Sequence, residues 1–226
     1  MTTVQITEAG RIGDRLSRDL LVCGIISSIW YAAMNVLVPL QWAGYSSAAQ
    51  TISELSAIDA PTRTLWMLLA IPYTLLIAAF GWGTWRFGGE LRAMRATGAV
   101  IFAFGALGVF WPFAPMHLRE ALAHGAGSAS DTLHIGLGVA SVLLMIIAMS
   151  SASAALGRWF TVYSVGTIAI VLIFGAMTGA EAADIGANRP TPFVGVWERI
   201  SVGAFLLWVA VLSMRLRRSA LRLVTA

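Results

Sequence analysis

Lysine is absent from this sequence, and charge of either sign is scarce. All 15 basic residues are Arg, the acidic residues number 11, and charged residues make up only 12% of the 226 positions. Soluble globular domains average about 25% charged residues. Hydrophobic residues account for 58% of the chain, and the mean hydropathy is +0.78. This composition excludes a water-soluble domain and indicates a protein embedded in a membrane.

A single cysteine and the lack of a basic domain exclude two further classes. Cys23 stands alone in an apolar run, so the chain can form neither an intrachain disulfide framework nor a thiolate metal site. The net charge of +4 and the isoelectric point near 10 would suit a nucleic-acid-binding protein. The Arg residues, however, are scattered at the ends of apolar segments, so we exclude a nucleic-acid partner.

Six apolar stretches are long enough to cross a bilayer, for which a helix needs about 20 mainly apolar residues. Each is bounded by charge, Gly or Pro, which favours helix ends at those points. The predicted spans are Leu20 to Leu40, Leu65 to Phe87, Ala96 to Phe113, Leu133 to Ser153, Trp159 to Thr178 and Val194 to Met214. Only the turn around Gly157 and Arg158 separates the fourth span from the fifth, so these two are expected to be antiparallel neighbours. The predicted fold is an all-α bundle of six transmembrane helices.

The distribution of Arg predicts the orientation of the bundle, because basic residues in short loops stay on the cytoplasmic side. Eleven Arg fall on the side of the two termini and four on the other side, whereas four acidic residues fall on the first side and seven on the second. Both termini are therefore predicted to be cytoplasmic, in a multi-pass protein of the inner (plasma) membrane. Residues 1–19 form the predicted N-terminal segment, 20–214 the membrane domain, and 215–226 a basic tail.

The three loops predicted to face outward carry most of the polar chemistry. They cover about residues 42–64, 114–132 and 179–193, and all three His lie in or beside them. Asn35 and Thr178, near the outer ends of the first and fifth spans, are candidates to line a cavity there. Loops held by a rigid scaffold carry binding and catalysis more often than short turns do. A local function is therefore expected on the outward face.

The densest group of titratable residues runs from the end of the third span to the first turn of the fourth. It contains His117, Glu120, His124, Asp131 and His134. Imidazole and carboxylate groups bind catalytic zinc, which activates a bound water, and this chemistry makes His117, His124, His134 and Asp131 the candidate metal ligands. In the alternative interpretation, His117 and His124 are solvated loop residues, and Asp131 caps the fourth helix by accepting backbone N–H bonds.

Two other polar elements are predicted to lie near this group. Loop residues 45–61 are rich in hydroxyl side chains and include Glu54 between apolar neighbours, a pattern typical of a segment lying in the membrane interface. Glu198 and Arg199 stand just inside the outer end of the sixth span, where adjacent opposite charges need partners. Because their side chains point about 100° apart on a helix, each is expected to contact another segment. We predict that Arg199 pairs with Glu54.

The same polar elements carry a family resemblance. The motifs are Tyr45-Ser46, Ile52-Ser53-Glu54-Leu55 with Ala60-Pro61, Asp131-x-x-His134 and Glu198-Arg199-Ile200. With them the sequence resembles a bacterial six-span membrane family catalogued as domain of unknown function 998, a name that implies no settled activity. Ile52-Ser53-Glu54 is also similar to a loop of eukaryotic six-span proteins involved in lipid-anchor remodelling and autophagy. That second resemblance implies a lipid ligand.

Two functional hypotheses follow. In the first, the protein is a non-catalytic membrane protein that binds lipid, acts as a sensor or serves as an accessory subunit, with membrane lipids and a protein in the membrane as its partners. In the second, it is a metal-dependent lipid hydrolase or transferase acting at the outer leaflet, with zinc as the cofactor. Transport ranks last, because no acidic residue lies near the middle of any predicted span.

Overall fold

Helices make up most of the structure. A computed structural model of the protein describes residues 8–225, with side chains from residue 16 to residue 220. The helices are α1 (Glu8–Leu37), α2 (Arg63–Phe87), α3 (Arg92–Leu107), α4 (Arg119–Ala123), α5 (Ala129–Leu156), α6 (Arg158–Ala180), α7 (Ala182–Gly186) and α8 (Val194–Thr225). Short 3₁₀ turns lie at Pro39–Gln41, Ser53–Ser56 and Gly108–Phe113, and residues 8–225 contain no β-strand.

Six of these helices are long and apolar enough to cross a membrane: α1, α2, α3 with the 3₁₀ turn that follows it, α5, α6 and α8. The predicted all-α, six-span, multi-pass membrane fold is confirmed. Each spanning helix packs against its neighbours in the chain, and α8 returns to pack against α1, so the six form a closed ring. Because the chain crosses the membrane an even number of times, the first and the last spanning helix have their outer chain ends on the same side. That this side is cytoplasmic stays a prediction from the Arg count.

Several helix ends differ from the predicted span ends. α1 already begins at Glu8, and α8 continues to Thr225, so much of the predicted N-terminal segment and of the basic tail extends a spanning helix. Residues 1–7 and 226 lie outside the described residues. Hydropathy locates the part of a helix that matches the hydrocarbon, whereas a helix ends only where a breaker or a cap stops it. Neither polar extension contains a Pro.

The turn between α5 and α6 is as short as predicted. α5 ends at Leu156, α6 begins at Arg158, and only Gly157 lies between them. Gly157 has a φ of 81°, in the region where side chains are strained and glycine is not. This residue therefore lets two long helices reverse direction within a single position.

The hairpin of α2 and α3 depends on direct backbone contact. A Cβ atom added to Gly98 of α3 would lie 2.2 Å from the backbone nitrogen of Trp85, and one added to Gly81 of α2 would lie 2.3 Å from that of Phe102. Helices in a membrane gain little from the hydrophobic effect, so close packing of small residues supplies much of their association energy. The two glycines therefore set the distance between α2 and α3.

We expect Gly98→Ala to destabilise the bundle by about 1–3 kcal/mol, because the new methyl group forces α2 and α3 apart. Gly166→Ala in α6 is the matched control, since an added Cβ there meets nothing within 4 Å. The control should be neutral or stabilising by up to about 1 kcal/mol, the usual gain for alanine over glycine in a helix. Unfolding of both variants in detergent measures the difference, and equal effects would contradict the proposed backbone contact.

Candidate functional site

The three loops on the side opposite the chain ends fold together into one structure, which we call the cap. It consists of residues 38–62, 114–128 and 181–193. The first of these loops turns inward, and several of its side chains are buried beneath the others, namely Thr51, Ile52, Glu54, Leu55, Ala57 and Thr62. A buried loop must find hydrogen-bond partners for its polar groups away from water. The contacts of the cap supply those partners.

Glu54 and Arg119 form a buried ion pair at the centre of the cap. Nε of Arg119 donates to one carboxylate oxygen of Glu54 at 2.8 Å, and Nη2 donates to the other at 2.8 Å. Glu54 is fully buried, and Arg119 is 8% exposed. Thr51 adds two bonds to the same carboxylate, one from its backbone N–H at 2.7 Å and one from its hydroxyl at 3.1 Å. The buried negative charge is thus matched by a bidentate cation and by dipoles.

The same guanidinium reaches the third loop of the cap. Nη1 of Arg119 donates to the hydroxyl of Thr191 at 3.1 Å, and Nη2 donates to the backbone carbonyl of Ala49 at 3.2 Å. The Thr191 hydroxyl in turn donates to Ala49 O at 2.9 Å. Hydrogen bonding to Glu54 raises the pKa of Arg119 above its usual value, so this residue stays charged. One side chain therefore connects all three loops.

The prediction that Arg199 pairs with Glu54 is wrong. Glu54 is bound by Arg119, which comes from the second loop of the cap, where the sequence indicated candidate metal ligands. Arg119 was one of only four Arg assigned to the outward side, and that scarcity was the one signal available. Thr191 gave no signal at all, because an isolated threonine in a loop has no distinctive pattern.

Arg199 instead binds the backbone of the first loop. Its Nη1 donates to the carbonyls of Ser47 at 2.8 Å and Gln50 at 3.1 Å, and its Nη2 donates to the phenol oxygen of Tyr45 at 2.7 Å. The Tyr45 hydroxyl donates to Thr51 O at 2.7 Å. Burial raises the pKa of Tyr45 to about 12, so the phenol keeps this proton. Arg199 of α8 therefore stabilises the turn in the first loop by binding its backbone carbonyl groups.

Glu198 and Gly195 complete the contact between α8 and the first loop. The half-buried Glu198 carboxylate accepts the backbone N–H of Ile52 at 2.5 Å. The backbone N–H of Gly195 donates to Ala48 O at 2.9 Å. A Cβ on Gly195 would lie 2.2 Å from Gln50 O, so only glycine permits this approach. Glu198 and Arg199 contact another segment, as predicted, but their partners are main-chain groups and the phenol of Tyr45.

Asp131 takes part in the N-terminal cap of α5. Ser128 is the N-cap, and its side chain accepts the N–H of Ser130 at 3.2 Å, while Asp131 accepts the N–H of Ser128 at 2.9 Å. This arrangement is a capping box with aspartate at its third position. Asp131 also accepts the backbone N–H of His117 at 2.7 Å and its ring Nδ1–H at 2.9 Å. The carboxylate thus fixes both the helix start and the preceding loop.

The other two histidines bind backbone carbonyls. Nδ1 of His134 lies 2.8 Å from Ala114 O, and Nδ1 of His124 lies 2.7 Å from Glu120 O. Because a carbonyl only accepts, each Nδ1 carries a proton, so Nε2 is the ring atom that could bind a metal. Among residues 16–220, no three His, Cys, Asp or Glu side chains are grouped so that they could hold a metal ion. The geometry therefore gives no support to zinc binding by His117, His124, His134 and Asp131.

A shallow groove lies beside the cap. Its lining consists of Ser47, Ala48, Val196, Arg199 and Ile200, and its volume is about 470 Å³. Val196 and Ile200 stand one turn apart on α8, and both are more than one-third exposed. The four atoms that Arg199 contacts are all oxygens of the cap or of α8. The groove therefore presents an apolar wall beside a cation whose terminal nitrogens are occupied.

The fold and this site define a multi-pass helical membrane protein with a closed loop cap at one end. A family model described as "Protein of unknown function (DUF998)" matches residues 25–215, which include the whole cap, the second to fifth spanning segments and most of the first and the sixth. The chain belongs to this family, and the resemblance noted in the sequence is confirmed. No curated protein and no solved structure matches the chain.

We expect Glu54→Gln and Arg119→Gln each to lower the free energy of unfolding by about 3–5 kcal/mol, because each change leaves its buried partner uncompensated. A double-mutant cycle should give a coupling of about 1–3 kcal/mol between the two positions. Tryptophan fluorescence during unfolding in mixed micelles measures it.

The exposed pair of Asp184 and Arg189 is the control for this cycle. Its coupling should stay below about 1 kcal/mol, as for other surface ion pairs. A second cycle between Glu54 and Arg199 should give a smaller coupling than the cycle between Glu54 and Arg119. The opposite order would restore the pairing that the sequence predicted.

Proposed function

We propose that this is a non-catalytic lipid-binding protein of the inner (plasma) membrane, and that the groove beside the cap receives a lipid of the outer leaflet. The observation that carries the proposal is the groove lined by Ser47, Ala48, Val196, Arg199 and Ile200. The position of the groove at the outer leaflet rests on the orientation predicted from the Arg count.

The chemistry of the groove suits an acyl chain near the membrane interface. Val196 and Ile200 supply an apolar wall on the first two turns of α8, and Ala48 faces them from the first loop. The volume of about 470 Å³ is open on one side, so a chain that lies in the groove would stay in contact with the surrounding bilayer. The wall is also rigid, since Gly195, Glu198 and Arg199 bond the loop to the helix. A preformed wall lowers the entropy lost when a flexible lipid binds.

The occupied polar groups of the cap favour binding over catalysis. Glu54 accepts from Arg119 and Thr51, and Asp131 accepts from His117 and Ser128. A general base or a nucleophile needs a free lone pair directed toward the substrate. A lipid hydrolase or transferase that used Glu54 or Asp131 would have to break these helix caps and loop contacts before reacting. The unpaired Nε2 of His134 is buried away from any substrate, and we therefore do not favour this alternative.

We expect Ala48→Trp to weaken lipid binding at least about tenfold, because an indole placed in the groove removes its volume. Ala43→Trp is the matched control, since Ala43 is exposed in the same loop and does not line the groove. The immobilised fraction of a spin-labelled lipid, measured with each variant in nanodiscs, reports binding. Equal immobilisation by both variants would contradict the proposal, and thermal unfolding checks that both are folded.

A further inference from the structure

A positively charged surface lies at the end of the bundle opposite the cap, on the hairpin of α2 and α3. The hairpin carries Arg86, Arg92 and Arg95 within ten positions, and a single acid, Glu90. All four side chains are exposed. Within residues 16–220, none of the three Arg forms an ion pair with a carboxylate. The guanidinium groups of this hairpin can therefore bind an anion without first leaving an acidic partner.

One of these cations lies on a row of aromatic rings. The guanidinium carbon of Arg95 lies 4.9 Å from the centre of the Trp85 ring, and this ring stacks on Trp82 with 5.1 Å between the ring centres. Trp82 in turn contacts Phe102, with 6.3 Å between the ring centres. Trp82 is 43% exposed, and Phe102 is 45% exposed. These four side chains, which we call the column, form one continuous surface on the outside of the hairpin.

The column leads from the turn of the hairpin toward the middle of the membrane. Phe102 follows Arg95 by seven residues on α3, which at 1.5 Å per residue places it about 10 Å farther from the turn. The backbone contact between Gly81 and Phe102 brings α2 to the same level there. The charged group therefore lies nearest the membrane surface, the indole rings lie at the interface depth that tryptophan prefers, and Phe102 lies against the hydrocarbon.

This order of groups matches a phospholipid with a negatively charged headgroup. A guanidinium group binds phosphate oxygens through its planar fork of donors and stays charged at any physiological pH. Indole rings suit the ester region of a lipid, because they combine an apolar body with a polar edge. The choline group of a zwitterionic lipid is itself a cation, so the three Arg would repel it. The hairpin therefore favours an anionic lipid over a zwitterionic one.

We propose that the column, together with Arg92, binds an anionic phospholipid of the cytoplasmic leaflet. Arg92 stands one turn before Arg95 on the same face of α3, so both can contact one phosphodiester. An acyl chain then lies along Trp82 and Phe102. Basic residues beside the ends of membrane helices attract the anionic lipids of this leaflet. The inference is independent of the proposed function, because the groove lies at the other end of the bundle.

The test compares two lipid probes that differ only in the headgroup. The full chain, in nanodiscs of dioleoylphosphatidylcholine, is illuminated with equal small amounts of phosphatidylglycerol or phosphatidylcholine, each carrying a photoreactive diazirine in one acyl chain. Mass spectrometry then measures the labelled fraction of the peptides from residues 82–102. The anionic probe should label the native chain about fivefold more, the ratio that corresponds to about 1 kcal/mol.

Arg92→Gln combined with Arg95→Gln should reduce this ratio to about one, because the two cations that contact the phosphodiester are lost. Arg158→Gln combined with Arg218→Gln is the matched control. It removes the same charge from the same end of the bundle, at exposed positions of α6 and α8. These two helices stand across the ring from α2 and α3. The control should keep the fivefold ratio, and thermal unfolding checks that both variants are folded.

The outcomes separate a binding site from the general attraction between a basic surface and acidic lipid. If both double variants lower the ratio equally, the charge of the whole bundle end attracts the lipid, and the inference is overturned. Equal labelling of the native chain by the two probes overturns it as well.

A salt titration tests the same site without any substitution. At a salt concentration of about 1 M the Debye length falls to about 3 Å, so the ratio for the native chain should approach one. A ratio that stays near five in this salt would show recognition that does not depend on the charge of the Arg residues, which contradicts the proposal.

Discussion

The buried ion pair of Glu54 and Arg119 is the interaction on which the cap depends. A loop that enters the space between helices must satisfy its polar backbone groups without water. Arg119 does this for several groups at once, because its five donors form a planar fork that can bind a carboxylate and neighbouring oxygens together. The pair also keeps Glu54 buried without a net charge. The three loops can therefore pack together across one end of the six-helix ring.

The cap divides the polar residues of the chain into two kinds. The first kind consists of Glu54, Arg119 and Asp131. Their side-chain atoms already form hydrogen bonds within the cap and its neighbouring helix start, so these residues stabilise the fold and are poorly placed to react with a substrate. The second kind includes Asn35 Oδ1, His134 Nε2 and Arg199 Nε, which are buried without a hydrogen-bond partner. These atoms have almost no exposed surface, so a ligand would have to move neighbouring groups to reach them. The groove beside the cap is open, and a ligand can enter it without breaking a bond of the cap.

The parts of the structure that sequence could predict are those set by composition or by short spacing. Hydropathy over about 20 residues located all six spans, and the Gly157 turn lies where its position between two apolar runs indicated. Asp131 acts within three residues of Ser128, so its helix-start role was an open alternative from the outset. Glu54 and Arg119 are 65 positions apart, and no periodicity connects two loops. The partners of Arg199 are mostly main-chain carbonyls, which every residue carries and which therefore leave no trace in a sequence.

Arg199 is the point at which the cap meets α8. Its terminal nitrogens bind the turn at Ser47 and Gln50, and the same side chain lines the groove beside Val196 and Ile200. A lysine has a single nitrogen and could not bind these carbonyls and the Tyr45 phenol with one planar fork of donors. A ligand in the groove would therefore act on the same side chain that fixes the first loop. Under the proposed function, lipid binding and the order of the cap are coupled through one guanidinium group.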